Sequence, residues 1–224
     1  MDVPVQAVLF LGIIPALFIM WISLKGYEGY YKDKSIFLTF VIGLIFGVIA
    51  VVVRLVISPI PLVIVFIILF AFFEQLFKTI LLNLKRLHFK KEATIYGLSL
   101  GLGFGSSFTP FMIIAESMSG QSNNYFLILA AIGSLGIILF HSATSAYIGF
   151  GIYSGKLTRY LLIAILIQLP FNAIIDATRI LSLRAYFPHI QAGLVIYGLI
   201  VFIYVLKKIM PQILEKKGRK RSKK

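Results

Sequence analysis

A chain of 224 residues that is 59% hydrophobic and only 13% charged, with a mean hydropathy of +0.96, has too little polar surface for a water-soluble domain and reads as a polytopic membrane protein. It contains no cysteine, which excludes disulfides, thiolate metal sites and thiol nucleophiles. Its net charge of +14 would suit nucleic acid, but nine of the 22 Lys and Arg residues lie between Lys207 and Lys224, in a tail beside a membrane span. Such a tail suits anionic lipid headgroups, and no nucleic-acid partner is expected.

Seven apolar runs are long enough to span about 30 Å of hydrocarbon at roughly 1.5 Å per residue. They are Val3–Leu24, Ile36–Ile57, Pro59–Leu84, Ile95–Ala115, Tyr125–Tyr153, Tyr160–Ile180 and Ile190–Leu206. The first has no basic n-region ahead of it, so it reads as a span rather than a cleaved signal. The expected fold is an all-α membrane bundle of about seven transmembrane helices over residues 1–210, followed by a disordered basic cytoplasmic tail over 211–224. Ser58-Pro59-Ile60-Pro61 is short enough to force spans two and three into an antiparallel hairpin.

Orientation follows from the loops. Lys25, Lys32 and Lys34 follow span one; Lys85, Arg86, Lys90 and Lys91 follow span three; Lys156 and Arg159 follow span five; the nine tail residues follow span seven. Eighteen cations therefore share one side, while the opposite loops hold residues 58–61, Glu116 to Asn124, and Arg184. The N-terminus is expected outside and the C-terminus in the cytoplasm of a multi-pass protein of the cell membrane.

Span one carries Pro15 and ends in a stretch from Trp21 to Asp33 whose Tyr27, Tyr30 and Tyr31 suit the headgroup layer. Span two contains Gly43 and Gly47, a small-xxx-small pattern that permits close helix contact. Its Arg54 lies near the outer end, level with Asp176 and Arg179 of span six, so an Arg54–Asp176 ion pair is expected.

Span three holds Phe72-Phe73-Glu74-Gln75-Leu76-Phe77-Lys78. Ionisable groups inside a span are expensive, roughly 2.5–3.5 kcal/mol each for a central Glu or Lys. Glu74 and Lys78 share a helix face with the acid N-terminal to the base, the favourable order for an ion pair. Span four is glycine-rich from Gly97 to Gly105; with no strand before it, G-x-G-x-G here reads as close backbone packing, not a nucleotide loop. Span five carries His141, which the helical rise places at the depth of Glu74, roughly 23 Å from the outer surface. Span six adds Gln168, Pro170 and Asn172, with the two amides one turn apart.

In their order these features resemble the PrsW-type intramembrane metalloproteases, within the broader group of CAAX-processing proteases. The resemblance rests on Pro15 before the tyrosine-rich loop, Phe37 to Gly47, Phe73 to Lys78, Tyr96-Gly97-Leu98 with Gly101 to Phe104, His141 to Thr144 with Gly149-Phe150-Gly151, and Gln168 to Asn172. It implies a glutamate pair followed by lysine, an acid four residues after the span-four phenylalanine, a histidine in the next span, and a late His-x-x-x-Asn. Glu74, Lys78, His141 and Asn172 match, and are the catalytic residues if the protein is active. Gln75, Phe108 and Gln168 depart from the pattern. A catalytic zinc wants about three His or carboxylate ligands and an open position for water. Glu74 and His141 are the ligand types that remain, so the resemblance implies either one divalent metal, such as zinc, or none.

Three functions are open from sequence. One is a PrsW-like protein with a degenerate hydrolytic site, whose helix-lined cavity binds transmembrane segments of partner proteins. Another is an active intramembrane metalloprotease, with Glu74 as base or ligand and His141 as ligand or oxyanion stabiliser. The third is a small proton-coupled transporter in which Glu74, Lys78 and His141 form a relay, disfavoured by the lack of duplicated halves.

Overall fold

A computed structural model describes residues 5–57, 62–87, 89–118, 124–180 and 186–214. It is all-α, with seven helices: α1 Val5–Leu24, α2 Asp33–Ile57, α3 Val63–Leu82, α4 Glu92–Met118, α5 Asn124–Tyr153, α6 Leu157–Ile180 and α7 Phe187–Tyr204. A π turn, Val205–Ile209, and a 3-10 turn, Met210–Ile213, extend α7. Met210 and Ile213 are buried, so packed structure runs past the expected boundary at Pro211 to Leu214. The hairpin at residues 58–61, the loop residues 119–123, Arg184 and the tail from residue 215 lie outside the described residues.

The turn between α1 and α2 needs glycine twice, because Gly26 and Gly29 hold φ at +89° and +82°, where a side chain would be strained. Beyond that turn, Lys32 N–H donates to Tyr96 Oη at 3.2 Å, tying the connection to the start of α4.

Two helices form the centre. Every residue of α4 from Ala93 to Phe108, and every residue of α5 from Gly136 to Ile152, is buried. Helices apolar on all sides are found where neighbours cover every face. α4 packs on α5, α2 and α1, while α5 is covered further by α7, α6 and α3. Glycine makes these approaches close enough to exclude a side chain. A Cβ on Gly101 would lie 2.1 Å from the His141 carbonyl oxygen, and one on Gly43 of α2 would lie 2.1 Å from that of Leu100. The expectation that the span-two and span-four glycines serve backbone contact holds.

The outer helices α3 and α6 are built inside out. On α3 the buried positions include Glu74, Gln75, Lys78 and Thr79, whereas Ile64, Leu69 and Ile80 are more than half exposed. On α6, Gln168, Asn172 and Asp176 are buried while Leu162 and Leu166 face outward. Polar side chains inward and apolar ones outward is the arrangement that a hydrocarbon solvent favours. Among the described residues five helices are long and apolar enough to cross a membrane: Asp33–Ile57, Val63–Leu82, Ile128–Tyr153, Leu157–Asp176 and Phe187–Ile213. Phe10–Leu24 is a shorter apolar helix, and α4 is not among the five. A multi-pass membrane protein in contact with lipid follows.

Candidate functional site

The inward faces of α3, α5 and α6 meet in one polar cluster. Glu74, Gln75 and Lys78 come from α3, His141 and Thr144 from α5, and Gln168 and Asn172 from α6; each is no more than 1% exposed. The i, i+4 repeats at 74/78 and 168/172 present two residues per helix to the same interior.

Gln168 is the hub. Its Nε2 donates to Glu74 Oε2 at 2.5 Å and to Asn172 Oδ1 at 2.9 Å, while its Oε1 accepts from Gln75 Nε2. Both amide hydrogens and the carbonyl of this one side chain are therefore engaged. A hydrogen bond to a carboxylate is among the stronger kinds, and in a dry interior it offsets part of the cost of burying the acid.

Lys78 turns to α5. Its Nζ lies 2.8 Å from His141 Nδ1 and donates to Thr144 Oγ1 at 3.1 Å, with the Phe104 ring centroid 5.1 Å away. The Thr144 hydroxyl points its own hydrogen back at the Phe140 and His141 carbonyls, which leaves a lone pair for the ammonium. Where Lys78 donates to Nδ1, the imidazole hydrogen sits on Nε2. Nε2 has no hydrogen-bond partner, and neither do Gln75 Oε1 and Asn172 Nδ2. The rings of Phe104, Phe108, Phe140 and Phe171 surround the imidazole, with centroids 4.6 to 6.1 Å away.

The expected Glu74–Lys78 ion pair does not close. Among the described residues the ion pair is Arg54–Asp176, as the depth argument expected. Helical spacing put the two charges on one face but did not reveal that α6 and α5 each offer a nearer partner. Arg54 is fully buried, with its guanidinium carbon 4.8 to 5.7 Å from the centroids of Phe66, Phe70 and Phe108. Its Nε and Nη1 lack hydrogen-bond partners, and the three aromatic faces supply cation–π attraction instead. The side chain of Arg179 lies outside the described residues.

The three departing positions fall within the same arrangement. Gln75 and Gln168 hydrogen-bond each other, and the Phe108 ring lies against both Arg54 and His141. A catalytic zinc does not fit what is present. No group of three His, Cys, Asp or Glu able to hold a metal occurs among the described residues, one Glu74 oxygen is held by Gln168, and Lys78 Nζ occupies His141 Nδ1.

Two participants were not assigned a role from sequence. Thr144 could have been found from its place one turn from His141 on α5, the spacing that sets two side chains on one helix face. Tyr197 donates from Oη to the Ile167 carbonyl at 2.9 Å, beside the carbonyl that Pro170 deprives of its helical donor. Comparisons of the chain with protein-family models, with curated protein sequences and with solved structures give no match.

Proposed function

We propose that this is a seven-span PrsW-like membrane protein, N-terminus outside and C-terminus cytoplasmic, that binds transmembrane segments of partners and does not hydrolyse them. The observation that carries the reading is Gln168. In the position of the late histidine of a metalloprotease, it holds the Glu74 carboxylate as a hydrogen-bond acceptor and couples it to Gln75 and Asn172. A base or metal ligand needs a lone pair facing a substrate; Glu74 Oε2 is instead taken up by a structural amide network.

The route for a partner helix is the seam between α2 and α3, which touch only lightly. Phe46 on Phe77, with centroids 5.2 Å apart, and the caged Arg54 close it. A polar group on an incoming helix that parted this seam would meet unpartnered donors on Arg54, His141 and Asn172 and an unpartnered acceptor on Gln75. Interhelical hydrogen bonds of this kind are worth on the order of 1 kcal/mol each in a membrane.

The absence of cysteine makes the test clean. Purified protein in lipid nanodiscs is expected to hold no stoichiometric zinc, to leave a transmembrane peptide intact, and to capture that peptide. Phe77→Cys should form a disulfide with a cysteine at the peptide's mid-depth, whereas Ile200→Cys on α7 should not. Peptide cleavage that disappears in Glu74→Ala and His141→Ala would replace this reading with the active metalloprotease. The resemblance has its own test: Gln75→Glu, Phe108→Glu and Gln168→His together should create zinc affinity, and a triple variant that folds and binds none would remove the homologous-site assignment.

One observation favours a second reading. Gln168, Asn172 and Asp176 follow one another by a helical turn, so buried polar groups extend about 12 Å along α6 to Arg54, a path suited to proton relay. Proton-coupled flux in liposomes above that of empty vesicles, lost in Lys78→Met, is the result that would select it.

A further inference from the structure

Apart from the polar cluster, α1 and α2 flank a cleft of about 510 Å³, within the roughly 300–1,000 Å³ typical of small-ligand sites. Its walls are Leu17 and Leu24 of α1 and Ile36 and Phe40 of α2. Two lining residues, Met20 and Ile36, are tied to α4 by Ser99, whose Oγ donates to the Ile36 carbonyl at 2.7 Å and contacts Met20 Sδ at 3.8 Å. Trp21 and Phe37 form the two lips and are 68% and 70% exposed. The mouth carries Lys25, Glu28 and Asp33, together with Tyr31.

The layout is that of an amphiphile site at a membrane interface. Apolar walls run along two helices into the hydrocarbon, and the charged mouth sits in a tyrosine-rich belt at headgroup level. The mouth carries charge of both signs. Lys25 offers a cation for a phosphate, and two carboxylates offer acceptors for an ammonium. The Glu28 carboxyl stays ionised: its own backbone N–H and that of Gly26, the latter donating to Oε2 at 2.8 Å, hold it below the usual carboxylate range. Two carboxylates favour an ammonium with N–H donors over a quaternary one.

We infer that the α1–α2 cleft is a binding site for a zwitterionic phospholipid with a primary-amine headgroup, its phosphate at Lys25 and its amine at Glu28 and Asp33. The inference does not depend on the proposed function. The site orders one lipid against the two helices.

Trp21 is the only tryptophan in the chain and stands on the lip, so its fluorescence reads the cleft directly. The full-length protein is reconstituted in vesicles that contain a fixed fraction of bromine-labelled phosphatidylethanolamine, phosphatidylcholine or phosphatidylglycerol. Phosphatidylethanolamine should quench with an apparent affinity about fivefold above either of the others, the scale of interfacial ion pairing. The double variant Glu28→Gln/Asp33→Asn, at two exposed positions, should keep the helical content and lose the preference. Equal quenching by all three lipids would mean bulk lipid contact only and would overturn the inference. So would quenching by phosphatidylcholine or phosphatidylglycerol that matches or exceeds it, or a preference that survives in the double variant.

Discussion

The two sides of the bundle are held together by different means. Where α4 meets α2 and α5, glycine lets backbones touch, and the hydroxyls of Ser106 and Ser107 reach carbonyls of their own helix, Ser107 also reaching Leu44 O. Where α3 meets α6 and α5, long side chains span the gap through amides, an ammonium and an imidazole. Lipid offers helices no hydrophobic drive to associate, so both are valid solutions to the same problem. The backbone contacts are short and admit one register. The side-chain contacts have rotamers to exchange, and several of their atoms are unpartnered. A rigid half therefore carries an adaptable one.

Substitutions can break this contrast, beginning with the glycine side. Gly101→Leu would drive a side chain into the His141 carbonyl and the Ser142 Cα, so more than about 3 kcal/mol of stability should go, read as lost monodisperse protein in a thermal ramp. Gly193→Ala serves as its control; the nearest atom to a Cβ there is Ile174 Cγ2 at 3.9 Å, and stability should stay within about 1 kcal/mol of the parent. Next comes the ion pair. Arg54→Met leaves Asp176 buried and unpaired, at about 3–5 kcal/mol, and Arg54→Met/Asp176→Leu should recover most of it. A double variant as unstable as the single would show that the guanidinium acts through its phenylalanine cage. Gln168→Leu should cost less, about 1–2 kcal/mol, because Glu74 and Gln75 lose bonds in a region with freedom to rearrange. If it proved as damaging as Gly101→Leu, the adaptable half would be as rigid as the other. The smallest effect is reserved for Ser107→Ala, about 0.5 kcal/mol in the same melt, since its bonds duplicate backbone ones.

Much of the site was legible before the structure, for a physical reason. A polar residue in an apolar run has to face protein, and helical spacing says which of its neighbours face the same way. That suffices to bring Glu74, Lys78, Gln168 and Asn172 inward, and depth along the helices adds Arg54 with Asp176. Spacing cannot choose between partners on different helices, so the Glu74–Lys78 pair gave way to Gln168 on one side and His141 with Thr144 on the other. Nor does hydropathy distinguish lipid from protein as the apolar surroundings. The central place of α5, buried from Gly136 to Ile152, was for that reason invisible, whereas the glycines and hydroxyls of α4 leave it less apolar than the spans around it and mark a helix packed against protein.

The amide of Gln168 has a direction, and the network inherits it. Its nitrogen faces the Glu74 carboxylate and Asn172 Oδ1, and its oxygen faces Gln75. An ionised carboxylate accepts only, so it fixes that orientation; a protonated carboxyl can donate, and is then satisfied equally by the amide turned end for end. Turning it withdraws the acceptor from Gln75 and the donor from Asn172 in the same movement.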